Sequence, residues 1–132
     1  MRSVISILAG ATVWAVLWTG GTSMLSGALG LEPATPITSA GVLLTLLALS
    51  VVLSGLAGWV TGAVAGRLAV AHALALGLLQ LALGLVFQIQ SWHLMPIWYH
   101  LPFLALLIPA NVWGGWLRER QVGGLRTHVQ AI

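Results

Sequence analysis

The stretch Gly55-Leu56-Ala57-Gly58-Trp59-Val60-Thr61-Gly62-Ala63-Val64-Ala65-Gly66-Arg67 is apolar, nearly stripped of bulk, and ends at a charge. Its small residues continue a pattern that starts upstream. Ser50, Ser54, Gly58, Gly62 and Gly66 recur every four residues, which in a helix is one slowly drifting face. Ala57, Thr61 and Ala65 run beside them. Glycine costs roughly 1 kcal/mol against alanine in a helix interior, so this density of glycine calls for a compensating contact. In lipid there is little hydrophobic force between helices, and close backbone approach through small residues supplies association instead. The stretch therefore predicts a packing face on the inner half of a membrane-spanning helix.

Composition leads to the same class. The chain has 132 residues, of which 59% are hydrophobic and 5% charged. Soluble domains carry roughly 25% charged residues, too many more for this chain to cover a surface in water. An integral membrane protein follows. The net charge of +3 comes from five arginines scattered along the chain, without lysine and without a basic run, so no nucleic-acid partner is expected. Cysteine is absent, which excludes disulfides, thiolate metal sites and a cysteine nucleophile.

Working outward, the apolar runs predict an all-α, four-transmembrane-helix bundle with helices at about 4–25, 43–63, 69–89 and 98–117, a single domain over 1–120, and a short cytoplasmic tail at 121–132. The first run is followed by Ser26-Gly27-Ala28, which imitates a signal-cleavage site. Its length exceeds the roughly 7–15 residues of a signal core, so it reads as a retained helix. It carries its own small stripe, Ala11, Ala15, Thr19 and Ser23, a candidate partner for the glycine face. Residues 27–39 hold Pro33 and Pro36 among polar neighbours and read as a loop. Gly66-Arg67 is a tight turn, because arginine is costly in hydrocarbon and glycine suits a helix C-terminus. On the third helix Ala73, Gly77, Gln80, Gly84 and Gln88 share one face. On the fourth, Pro102 reads as first-turn proline, Pro109 as a kink, and Asn111 as a donor to the carbonyls that Pro109 frees.

Arg2, Arg67, Arg118, Arg120 and Arg126 all fall on one side of this topology, and the opposite connections carry only Glu32. The positive-inside rule then puts both termini and the 66–68 turn in the cytoplasm. Trp92, Trp98 and Tyr99 mark the outer interface; Trp59, Trp113 and Trp116 lie toward the inner one. Trp14 and Trp18 sit deeper, against lipid or a partner.

The chemistry is sparse. No Asp, Glu, Lys or Arg lies inside the four expected spans, whereas proton-coupled carriers and pumps depend on such groups. Gln80 and Asn111 are candidate interhelical hydrogen-bond partners or solute contacts. His72 reads as an interfacial histidine beside Arg67. Glu32, His93 and His100 form a candidate two-histidine, one-carboxylate metal site on the outer rim. The plainer and preferred reading makes both histidines dispensable polar members of the aromatic belt, with no metal or cofactor. No nucleophile–base pair, phosphate loop or nucleotide fingerprint is present, so no catalytic residues are expected.

Two architectures share this size and helix count. The small multidrug exporters depend on a glutamate in their first helix, and this first helix has none. The small fluoride channels carry a phenylalanine- and threonine-rich motif, and here the only phenylalanines are Phe87 and Phe103. A closer likeness lies in Gly58-Trp59-Val60-Thr61-Gly62-Ala63-Val64-Ala65-Gly66-Arg67, in His72-Ala73, in Pro96-Ile97-Trp98-Tyr99-His100 and in Gly114-Gly115. With these the chain resembles small four-helix bacterial inner-membrane proteins, which implies a multi-pass protein of the bacterial inner membrane and no particular activity.

The expected role is a non-catalytic packing or accessory component of a membrane assembly or homo-oligomer, its partners being the bilayer and a second membrane protein or copy of itself. The alternative is a small channel or facilitator for an uncharged or weakly charged solute at the depth of Gln80 and Asn111. The topology itself has a direct test. A reporter active only in the cytoplasm is expected to work when fused after Arg67 or Ile132 and to fail at Thr35 or His93; activity at Thr35 would refute the topology.

Overall fold

Four helices carry almost the whole chain in the computed structural model, which describes residues 1–130 and their side chains as far as Gly124. They are α1 (Arg2–Leu29), α2 (Ala40–Ala65), α3 (Ala69–Gln90) and α4 (Ile97–Gln130), with a single 3₁₀ turn, Trp92–Leu94, between α3 and α4. Each has a stretch long and apolar enough to cross a membrane, which marks a multi-pass membrane protein.

The expected tail is different. Residues 121–130 continue α4, while 131 and 132 lie outside the described residues. Gly123 and Gly124 weaken a helix without stopping it, and neither adopts a positive φ. Trp59 Nε1 donates to Gln121 Oε1 at 2.9 Å, tying this extension back onto α2. Pro102 also lies one turn deeper than expected, because α4 already starts at Ile97.

Packing centres on α2, which touches all three other helices. The closest approach is to α4. A Cβ on Gly58 would collide with the main chain of Asn111, and one on Gly114 with the carbonyl of Gly55. On the next seam a Cβ on Gly115 would lie 2.6 Å from Ala73 Cβ and 2.9 Å from Ala69 O, holding α4 against α3. Gly77 faces Ile108 Cα in the same way, at 3.1 Å, and a Cβ on Gly62 would lie 2.7 Å from Ala69 Cβ. Ser50, Ser54, Gly58, Gly62, Gly77 and Gly84 are thus all buried within the chain.

Three expected packing positions behave otherwise. Gly66 is exposed and ends α2 as its cap, with φ 75° and its N–H donating to Gly62 O. Only glycine adopts that conformation without strain. Ala11 is half-buried, and Ala15 is exposed along with Thr19 and Ser23. The face of α1 that meets the bundle instead carries Ser6 and Gly10. Gly10 fits there because a Cβ would strike the Thr61 hydroxyl and lie 3.0 Å from Ala57 O. Trp14 and Trp18 stack on each other, and Trp18 packs on Phe103 of α4, so this pair closes α1 onto the bundle.

At the end of the bundle away from the arginines Leu43, Leu46, Tyr99, Phe103 and Leu107 form a buried cluster. Tyr99 is therefore a core residue, whereas its expected companions Trp92 and Trp98 are exposed. At the other end the 66–68 turn brings Leu68 to φ 51°, strained for a branched side chain. Glu119 Oε1 compensates by accepting the Val70 N–H at 3.1 Å, capping α3 from α4. Arg2 Nε donates to Val64 O at 3.1 Å and satisfies a carbonyl at the end of α2.

The glycines separate into two kinds, and substitution distinguishes them. Gly114→Ala is expected to cost about 1–3 kcal/mol, since the main chains of α2 and α4 must part. Gly20→Ala, where nothing lies within 4 Å, should be neutral or gain up to about 1 kcal/mol. Thermal unfolding in detergent measures both; equal effects would remove the backbone contact from its central place.

Candidate functional site

Two buried polar clusters lie in the bundle, one near its middle and one near the end away from the arginines. The first follows from the shared face of α3. Gln80 is fully buried, and its Oε1 accepts from Asn111 Nδ2 of α4 at 2.8 Å and from the Ser54 hydroxyl of α2 at 3.2 Å. One amide oxygen thus joins three helices. Asn111 Nδ2 also donates to Leu107 O at 2.7 Å, so it binds the carbonyl one turn above itself and not the one that Pro109 releases. Such a bond is worth about 0.6–1.7 kcal/mol between membrane helices, because the separated helices find other partners. The cluster leaves Gln80 Nε2 and Asn111 Oδ1, a donor and an acceptor, unpartnered among the described residues. Thr61 Oγ1 is buried without a partner as well, against Gly10. A Cα–H of glycine is the weak donor available to it there.

The second cluster surrounds His100. The outer rim was the expected place for this side chain, among belt residues, but it is fully buried. Its ring stacks on Trp92 with centroids 4.4 Å apart. Nε2 lies 3.2 Å from Met95 O and 3.4 Å from Trp92 O, both acceptors, so Nε2 carries the hydrogen. Nδ1 is hydrogen-bonded to the Gln88 side-chain amide. The Gln88 atom at Nδ1 is its amide oxygen Oε1. The imidazole therefore ties α4, α3 and the turn between them. Sequence reasoning found Gln88 on the buried face of α3 but placed His100 by its neighbours in the sequence. The available signal was register: His100, Phe103 and Leu107 lie three and four residues apart and share one face of α4.

Glu32 and His93 are exposed in separate segments, and His100 points inward. The structure does not bring the three together, and among the described residues no group of three His, Asp or Glu side chains is placed to hold a metal ion. His72 is half-buried on the first turn of α3, where its Nδ1 lies 2.9 Å from Leu68 O and donates to it.

A third arrangement went unread in the sequence. Val51, Val52, Gly55 and Leu56 of α2, with Trp113, Gly114 and Leu117 of α4, line a groove of about 480 Å³ that is walled at one end by Trp59. The Arg118 guanidinium lies over that Trp59 ring, 5.3 Å from its centroid. Gly55 and Gly114, where α2 and α4 touch, both line it.

The two histidines of the end away from the arginines should now differ. His100→Ala is expected to cost about 1–3 kcal/mol, since it removes a stacked ring and strands the buried Gln88 amide. His93→Ala should stay within about 0.5 kcal/mol, as an exposed residue. Denaturant or thermal unfolding of both variants in one detergent checks this, and equal costs would contradict the burial of His100. Comparison with family models, with curated proteins and with solved structures gives no match for this chain.

Proposed function

We propose that the protein is a non-catalytic component of a membrane assembly, packing through the outward face of α1 against a second membrane protein or a second copy of itself. The observation that carries this reading is the direction of the small-residue stripe on α1. Thr12, Ala15, Thr19 and Ser23 are exposed on one side, roughly opposite Ser6 and Gly10, with Gly20 and Gly27 exposed beside them; Leu8 and Val16 share that side. Nothing lies within 4 Å of where a Cβ would stand on Gly20 or Gly27. A helix open to lipid has no packing reason to be this small, whereas a helix that meets another helix does. Gly58, Gly62, Gly77, Gly84, Gly114 and Gly115 are engaged within the chain, which leaves the outward side of α1 as a helix face for a partner. The arginine asymmetry and the resemblance to small four-helix inner-membrane proteins favour a bacterial inner membrane, with both termini in the cytoplasm.

A second reading, a small channel or facilitator for an uncharged solute, draws on the leftover donor and acceptor of Gln80 and Asn111 at mid-depth. Against it, the same two amides are bonded to each other and to Ser54. A solute would have to break that tie to pass.

The chain has no cysteine, which makes the test direct. A single cysteine at Thr19 or Ser23 is expected to cross-link in the native membrane, while one at Val86, exposed on α3, should not. A product of twice the chain mass identifies a second copy, and another mass identifies a different protein. Cross-linking no stronger at Thr19 and Ser23 than at Val86 would refute the reading.

A further inference from the structure

We infer that the groove between α2 and α4 is a binding site for one anionic phospholipid from the leaflet on the arginine side. Its walls are apolar, and its floor is the pair of glycines Gly55 and Gly114. It runs along α2 from Val51 to Trp59, a rise of about 12 Å, from mid-depth toward the arginine end. That is the course of an acyl chain and the lower part of one leaflet. Its polar end is Trp59, and over that ring, 5.3 Å from the centroid, lies the guanidinium of Arg118, which also lines the neighbouring hollow with Arg67 and Glu119. Among the described residues its N–H groups make no hydrogen bond, so they can meet a phosphate. Gln121 accepts the Trp59 N–H through its oxygen, so its amide nitrogen remains a donor at the same end.

Charge and shape have separate parts. An acyl chain gains little by leaving lipid for an apolar groove, because both surroundings are hydrocarbon. The groove therefore fixes position, and selectivity comes from the phosphate and net charge of the headgroup at Arg118. An arginine close to an anionic lipid surface favours it by about five-fold. The same electrostatics oppose a second copy of this chain as the occupant, since the matching end of a neighbour in the same orientation presents its own Arg118 and Arg120. Arg120 stacks on the Trp116 ring, 4.1 Å from its centroid, and Trp116 does not line the groove.

The test uses the full chain, freed of lipid in a neutral detergent, titrated with phosphatidylglycerol or phosphatidylcholine and examined by native mass spectrometry. One phosphatidylglycerol is expected to bind about five-fold better than phosphatidylcholine. Arg118→Gln, which keeps the stem packed beside Gly62, should equalise the two lipids, and Arg120→Gln should leave the preference intact. Gly55→Leu should remove binding of both lipids by filling the groove. Its Cβ meets only Ala110 O, at an ordinary 3.6 Å, so the bundle can accept it. Val52→Phe fills the groove from its exposed rim and repeats the test should Gly55→Leu misfold. Equal binding of both lipids by the natural chain would overturn the inference. So would equal losses in Arg118→Gln and Arg120→Gln, which would indicate diffuse surface charge. A dimer that the groove-filling variants dissolve, with lipid binding unchanged, would give the groove to a second copy and overturn it too.

Discussion

The main chains of α2 and α4 touch at Gly58 against Asn111 and at Gly114 against Gly55, and the rest of the bundle is arranged around that contact. Lipid tails are as apolar as leucine, so burying leucine drives little association inside a membrane. Dispersion between closely spaced backbones and a few hydrogen bonds must supply it. Both appear at this seam. Asn111 is the residue whose main chain lies on Gly58, and its side chain leaves the same point to reach Gln80 on α3. Separating α2 from α4 would lose the packing and move the amide cluster together.

The ends of the bundle are held by a different kind of interaction. On the arginine side, Arg2 satisfies a carbonyl of α2, Glu119 caps α3, and Gln121 holds Trp59. Each is a polar side chain reaching from one helix to the terminus or edge of another. Without such partners the free groups of a helix end would be left at the edge of hydrocarbon. On the opposite side His100 does the same work from within, joining Gln88 to the carbonyls of the turn. These strongly polar residues thus serve largely as connections between helices. Two surfaces are left over from this economy: the small outward face of α1 and the hollow between α2 and α4. Both are places where side chains are missing instead of places where reactive ones are gathered.

Much of the packing on α3 was legible because its face contrasts with its surroundings. Ala73, Gly77, Gln80, Gly84 and Gln88 interrupt a run of leucines, and all five turn inward. The stripe Ala11, Ala15, Thr19 and Ser23 on α1 was equally visible as a candidate partner for α2, yet Ala15, Thr19 and Ser23 are exposed. Ser6 and Gly10 define another face, and periodicity cannot say which one meets α2. His100 shows the same limit in another form. Neighbours such as Trp98 suggest an interface, yet adjacent residues on a helix point about 100° apart.

The sequence by itself determined that this is a four-helix membrane protein, where its turns fall, and that its packing would rest on small residues. Those properties depend on length, hydropathy, prolines and the cost of charge in hydrocarbon, all of which act locally along the chain. Only the tertiary structure decided which small residues meet within the chain and which face outward. It also decided that His100 is a buried tie, that α4 runs on to Gln130, and that an apolar groove reaches Trp59, over which Arg118 lies. In water, burial would separate the faces of a helix by polarity. In lipid both the inner and outer faces are apolar, so the choice between them is made by the fit of one backbone against another.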